Sequence, residues 1–305
     1  MRIKSINTTP YQFKLLNNQI RSGCLIEFIS DHNHSALSDL APYPSLNKET
    51  LKDALMQLDQ IKLDLLQMSW REDQVISQLG KLRLLPSLQF ALESGLYSLT
   101  APVSGAKPST SALFMGSSDE IKVMAKKKAQ EGVLSAKLKV SQLEMKEAFD
   151  LIEELKDHFF LRIDVNRAWD PKDSLEFFSH FPIGTFDYVE EPFINPQDLI
   201  HFTHPLAVDE SYPNDLSLKD LEKIPCLKAL IYKPTVQGGF YHLQPIQKWA
   251  ENQGIDLVLS SSFESDVGLY QIASMAKRLG IKTPVGLGTY DYLPKYFLPP
   301  FFYNS

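Results

Sequence analysis

The hexapeptide Ser135-Ala-Lys137-Leu-Lys139-Val140 decides the reading of the chain. In an extended strand successive side chains point to opposite faces, so Lys137 and Lys139 project together. Four further apolar runs follow, each with polar residues at its end: Leu161-Arg-Ile-Asp164-Val-Asn166, Tyr188-Val-Glu190-Glu191-Pro192, Ala207-Val-Asp209-Glu210-Ser211 and Leu230-Ile-Tyr-Lys233-Pro234. Lys139, Asp164, Glu190, Asp209 and Lys233 recur at intervals of roughly 20 to 26 residues, close to the length of one strand-plus-helix unit of a (β/α)8 barrel. The active site of that fold is built at the C-terminal ends of its strands, so five distant residues would converge on one cavity.

Outward from the hexapeptide the pattern predicts eight strands, near 111–115, 135–140, 160–166, 186–192, 205–211, 229–234, 257–262 and 284–288. Helical segments fall between them at 142–157, 172–180, 217–223, 241–253 and 266–279, and Ser117-Ser118-Asp119-Glu120 opens another with a hydroxyl near the cap and acids in the first turn. Strands alternating with helices imply parallel βαβ units. The first hundred residues read differently. Segments 3–15 and 23–29 look like strands joined by a turn around Asn17-Asn18, and 31–45 reads as loop. Residues 48–66 carry a helical apolar period with Ser45 or Asn47 available as its cap, and helices are expected over 70–79 and 86–97. The expected fold is α/β: a (β/α)8-type, modified TIM barrel over 102–289 beneath an N-terminal α+β capping domain over 1–101, which the tail 290–305 would join.

The 305 residues, 44% hydrophobic, suffice for such a core, and a net charge of −6 without long basic runs gives no footprint for nucleic acid. Lys126-Lys127-Lys128 reads as a solvated helix face. Cys24 and Cys226 have no metal-ligand spacing, and Met1-Arg-Ile-Lys-Ser begins no apolar leader, so a reduced, cytoplasmic setting is expected. No apolar run approaches the ~20 residues that span a bilayer, so no membrane partner is expected.

Both faces of a parallel barrel strand are buried, and charges there need partners. Three acids on three consecutive strands, flanked by strands ending in lysine, would partner one another. Oxygen ligands from Asp164, Glu190 and Asp209 suit a hard cation, Mg²⁺ or Mn²⁺ in its place. Strand parity leaves Glu190 and Glu191 as alternatives. The histidines do not compete: His32 and His34 lie in a polar loop, and the others fall in helices or connections. A lysine acts as a base only if its pKa falls, which burial and a neighbouring cation promote, and Lys137 beside Lys139 offers both. Lys233 would stand across the cavity. Two lysines flanking a metal-bound carboxylate suggest proton abstraction beside that carboxylate.

In this order, Lys137-x-Lys139, Asp164-x-Asn166, Glu190-Glu191-Pro192, Asp209-Glu210-Ser211 and Lys233-Pro234 resemble the muconate-lactonising branch of the enolase superfamily. Within it, Ala41-Pro-Tyr-Pro-Ser45 with Glu49-Thr50, Arg162 to Trp169, and Ser260-Ser-Ser-Phe-Glu-Ser265 with Gly268-Leu269 resemble the o-succinylbenzoate synthase family. The resemblance covers nearly the whole chain. It implies Lys139 as the base, Lys233 as the opposite cation, and Asp164, Glu190 and Asp209 as metal ligands, Glu190 being favoured over Glu191 by the family pattern alone. Lys137, Arg162, Asn166, Ser260, Ser261, Ser262 and Gly286 would line or brace the substrate pocket. The capping domain would close over it through loops bearing Arg21 and Tyr43. Two departures stand out: the family's Gly-Leu-Asp-Thr is Gly286-Leu-Gly288-Thr289 here, and 31–35 lacks the usual small turn.

The implied activity is that of a lyase dehydrating 2-succinyl-6-hydroxy-2,4-cyclohexadiene-1-carboxylate to o-succinylbenzoate in menaquinone synthesis, with a small-molecule carboxylate as partner. An N-acylamino-acid racemase or dipeptide epimerase would use the same residues, with both lysines exchanging protons. A barrel that has lost catalysis and serves as a binding protein is the alternative of another class.

Overall fold

A computed structural model describes residues 1–15, 18–103 and 108–294. Of the expected hairpin turn, Asn17 lies outside the described residues and Asn18 takes a positive φ of 66°.

The N-terminal sheet is antiparallel, in the order β1 (Ile3–Lys14), β2 (Ile20–Ser30) and β3 (Ser35–Leu40). The third strand corrects the loop expected over 31–45. Its buried face is made by Ala36, Ser38 and Leu40, too small and polar a set to announce a strand. The helix Leu51–Gln67 is capped by Thr50 in a reciprocal box with Asp53, not by Ser45 or Asn47. The helix expected over 70–79 is a 3₁₀ turn, Glu72–Gln74, running into Val75–Leu79.

Helix Pro86–Thr100 joins the two halves of the molecule. Twelve of its fifteen residues are buried, so it is enclosed on all sides rather than amphipathic. One side meets the antiparallel sheet where Phe28 packs over Gly95, and the other meets the barrel, where the Tyr97 and Phe240 rings lie 4.8 Å apart.

Seven parallel strands follow in sequential order: β4 (Ala112–Phe114), β5 (Ser135–Lys139), β6 (Phe160–Asp164), β7 (Tyr188–Glu190), β8 (Leu206–Val208), β9 (Leu227–Tyr232) and β10 (Asp256–Leu259). The eighth expected strand is reduced to the dipeptide Val285-Gly286, which bridges Thr110 on one side and Ser260 on the other. Its bonds close the ring: Ser111 N and Val285 N exchange with Val285 O and Ser109 O, and Gly286 N donates to Leu259 O. A Cβ on Gly286 would lie 2.5 Å from Ser260 Oγ, so only glycine closes the barrel this tightly. Gly288 explains the departure from the family pattern. Any side chain there would start 2.6 Å from Leu113 N, where the β4 backbone already stands.

Helices Ser118–Gln130, Met145–Leu155, Pro171–Ser179, Phe240–Gln253 and Asp266–Arg278 cover the barrel, and between β7 and β8 there is only the 3₁₀ turn Pro196–His201. Lys128 corrects the reading of the lysine run as a solvated face. It sits on the buried stripe of Ile121 and Ala125, ion-paired to Asp291 at 3.1 Å and Glu131 at 3.0 Å, with Tyr290 OH at 2.8 Å. Residues 290–292 thereby pack on the barrel, and Tyr292 OH donates to Leu113 O. Residues 295–305 lie outside the described residues. Cys24 and Cys226 are both free thiols. Among the described residues no helix is long and apolar enough to cross a membrane.

Candidate active site

Register builds the site. Lys139 pairs with Asp164 across β5 and β6, and Asp164 with Glu190 across β6 and β7, so three charged residues stand side by side at the strand ends. Lys137 Nζ lies 2.8 Å from Asp164 Oδ2 and 2.5 Å from Glu190 Oε1. Lys139 Nζ donates to Asn166 Oδ1 at 3.0 Å and stands 3.6 Å from Asp164 Oδ2. Across the barrel, Lys233 donates to Asp209.

These groups open on a cavity of about 280 Å³ lined by Lys137, Lys139, Arg162, Asn166, Glu190, Asp209, Lys233, Ser260, Ser261, Ser262, Gly286 and Tyr43. Asp164 is buried beneath Asn166, whose backbone N–H it accepts at 3.0 Å. Arg162 reaches the cavity but spends Nε on Asp187 and Nη1 on Pro284 O, both at 2.9 Å, bracing the barrel floor. Arg21 corrects the expectation of a loop residue that closes over substrate. It is the second residue of β2, 1% exposed, and lies outside the cavity lining.

Burial alone would drive all these acids toward neutrality, and the lysines decide which escape it. Lys137 and Lys139 outweigh burial at Asp164, and Lys233 and Lys137 do so at Asp209, holding both carboxyls below the usual range. Glu190 goes the other way, pushed up by burial and then by the Asp164 charge. The lysines correct a sequence-based expectation. Burial would lower Lys137, as expected, but the acids facing it win, Asp164 and Glu190 raising it; at Lys233 burial is likewise outweighed by Asp209.

Glu190 and Glu191 are separated by what they touch. Glu191, at φ 47°, turns out of the cavity and accepts from Asp209 N (2.8 Å), Ser211 N (2.9 Å) and Ser211 Oγ (2.6 Å). Its carboxyl is pushed up to about 7 by burial and then by Glu210. Glu190 faces inward, and its Oε2 is buried without a hydrogen-bond partner. That orphaned oxygen, with Glu190, Asp209 and Glu210 offering oxygens within 4.8 Å of one another, fits a hard divalent cation. Glu210 was not singled out in the sequence, where it stood only inside the run Asp209-Glu210-Ser211. The strand ends at Val208, so the Asp209 and Glu210 side chains escape strict alternation.

Phe263 was also missed. It lines the cavity at φ 57°, one of five non-glycine residues with positive φ at or beside the site, with Ser45, Asn166, Arg167 and Glu191. Left-handed backbone in such residues is strained and gathers where geometry is imposed by function.

Residues 120–289 match the family described as enolase C-terminal domain-like. The chain belongs to that family. An o-succinylbenzoate synthase of Pasteurella multocida is 27% identical over 300 residues, covering 92% of this chain and 85% of that protein. Among solved structures, a dipeptide epimerase from Enterococcus faecalis V583 superposes with a TM-score of 0.80 at 18% identity, covering 98% of this chain and 93% of that one. MenC from Desulfotalea psychrophila gives 0.77 at 18% identity over 97% of each chain. The structural likenesses establish the capped barrel fold, and the sequence relatives bear out the resemblance to o-succinylbenzoate synthases.

Proposed function

We propose that this chain is a metal-dependent lyase that dehydrates 2-succinyl-6-hydroxy-2,4-cyclohexadiene-1-carboxylate to o-succinylbenzoate. The observation carrying the proposal is the placement of Lys139 and Lys233 at the ends of β5 and β9, on opposite sides of one small cavity with the acidic cluster between them. The likeness to the o-succinylbenzoate synthase of Pasteurella multocida supports the choice of substrate.

Asp164, Glu190 and Asp209, with the Glu210 carboxylate beside the last two, would hold Mg²⁺, or Mn²⁺, which when bound supplies positive charge to the substrate carboxylate as its α-proton leaves. Lys139 takes that proton. It is the less committed lysine of its strand, with a single neutral acceptor, Asn166 Oδ1, within hydrogen-bond reach. The C–H electron pair becomes the new ring double bond, the C–OH bond breaks, and the ammonium of Lys139 returns its proton to the departing hydroxide, releasing water. Lys233 stays protonated on the far side, held so by Asp209, and steadies the developing negative charge. Lys137, pinned by Asp164 and Glu190, orients the acids and meets the carboxylate. Ser260, Ser261, Ser262 and Gly286 form the uncharged wall that receives the succinyl arm.

The test is a turnover assay of the purified protein with the cyclohexadiene acid, N-acyl amino acids and dipeptides, each with and without Mg²⁺. Aromatisation of the first, dependent on Mg²⁺, is the expected result. Inversion of an amino acid derivative with no aromatisation would replace the lyase by a racemase or epimerase on the same residues.

A further inference from the structure

Arg21 is among the largest fully buried side chains of the molecule. Its hydrogen bonds all end on main-chain carbonyls: Nε on Phe263 O at 3.0 Å, Nη1 on Ser22 O at 3.0 Å and Pro42 O at 2.9 Å, and Nη2 on Ala41 O. One guanidinium thus ties β2, the cap segment at 41–42 and the turn after β10. That turn is where Phe263 holds a left-handed conformation that bulky residues avoid. The Phe263 ring faces the cavity beside Tyr43, at 6.3 Å between centroids, and the Tyr43 ring lies 5.1 Å from the Arg21 guanidinium carbon. Two buried acids grip the same turn. Asp39 Oδ2 accepts from Ser265 N (2.8 Å) and Oγ (2.7 Å), and Glu264 Oε2 accepts from Ser262 N at 2.6 Å.

We propose that Arg21 is a positioning residue for substrate: by holding the Phe263 carbonyl from the capping sheet, it keeps the Ser260–Ser262 wall and the Phe263 ring in the shape the substrate meets. Its kinetic consequences rest on the lyase reading, while its structural consequence does not. The planar guanidinium reaches four carbonyls in fixed directions, which a lysine ammonium on a flexible stem does not reproduce. Chemistry and substrate fit are then governed by separate parts of the fold, the first by the β5–β9 strand ends and the second by a cap residue that never touches substrate.

The experiment compares Arg21→Lys in the parent and in a Phe263→Gly background, since glycine takes the positive φ without strain. In the parent, Arg21→Lys should raise KM for the cyclohexadiene acid about tenfold while kcat changes less than about threefold, given the usual cost of a strained residue losing its support. Mg²⁺ affinity by titration should stay put, and amide exchange over 261–265 should accelerate about tenfold. In the glycine background the KM effect should shrink below about twofold. An equal KM rise in both backgrounds, a fall in kcat at constant KM, or unchanged exchange over 261–265 would overturn the proposal. Should Arg21→Lys fail to fold, Asp39→Asn loosens the same turn through Ser265 with Arg21 in place. It should speed exchange there and raise KM, and unaltered exchange and KM would count against the proposal. If the parent does not turn over the cyclohexadiene acid, the lyase reading falls and the exchange measurements still decide the role of Arg21.

Discussion

The two sides of the cavity are built in different ways. At the ends of β5, β6 and β7, Lys139, Asp164 and Glu190 are neighbours because the parallel ladder aligns them residue for residue. At the end of β10 the wall is an irregular turn of hydroxyls and one aromatic ring, held by Arg21 and Asp39 from the other sheet. The charged side is positioned by regular secondary structure and the neutral side by long-range contacts. Rigid strand ends suit groups that must hold a proton or a cation to within fractions of an ångström. A turn clasped from outside can change its lining without disturbing them.

The largest effect expected from breaking the charged side is at Lys139. Lys139→Ala should lower kcat by at least about 10³-fold, as for loss of a general base, with the far-ultraviolet spectrum unchanged. Lys233→Arg, which keeps the charge in a bulkier group, should retain a measurable fraction of turnover. Solvent deuterium exchange at the α-carbon of a non-eliminating analogue would sharpen the contrast. Exchange lost in the Lys139 variant but kept in the Lys233 variant marks a single base, whereas exchange needing both marks a racemase.

Next in size is the contrast between adjacent acids. Glu190→Gln should weaken Mg²⁺ binding by more than about a hundredfold, and Glu191→Gln by no more than about tenfold, because Glu191 acts through the Asp209–Ser211 turn that it holds. Calorimetric titration decides it, and an equal loss in both variants would reverse the roles.

The junction between cap and barrel offers a pH test away from the site. Glu93, on the helix that joins them, accepts from Gln89 and from Tyr241 N, and burial pushes its carboxyl up to about 7. A carboxyl raised above its unfolded value binds its proton more tightly in the folded state. Its contribution is complete below about pH 4.5 and is lost as pH rises through about 7. Denaturant unfolding should show Glu93→Gln gaining on the parent across that window, by about 3 kcal/mol at most. A difference that stays flat with pH would show that Glu93 is ionised throughout.

The smallest effect belongs to the neutral side. Ser261 Oγ links Gly286 O at 3.0 Å and Thr289 Oγ1 at 2.6 Å, fastening β10 to the closing dipeptide. Ser261→Ala should cost about 1 kcal/mol of stability and raise KM more than it lowers kcat. A larger fall in kcat than rise in KM would mean that this wall takes part in the chemistry.

How much of this was legible follows from the kind of interaction involved. The spacing of Lys139, Asp164, Glu190, Asp209 and Lys233 was enough to read a barrel and to bring four of them to one cavity with Asp164 buried beside it, because βαβ units have a nearly fixed length and strands a fixed alternation. The same alternation left Glu190 and Glu191 open and said nothing of Glu210, because it lapses where a strand ends. The third capping strand was hidden by its small polar residues and the burial of Lys128 by the run in which it sits, whereas the eighth strand was read at 284–288 and only its shortening to Val285-Gly286 was not. By itself the sequence determined the fold class and the charged constellation, whose order is set by local periodicity. The tertiary structure alone decided that Arg21 is a buried tie instead of a lid residue, that Phe263 is held strained against the cavity, and that acids keep Lys137 and Lys233 protonated. Each of these depends on partners far away in the chain, and it is their distance and burial, which no local pattern records, that set its energy.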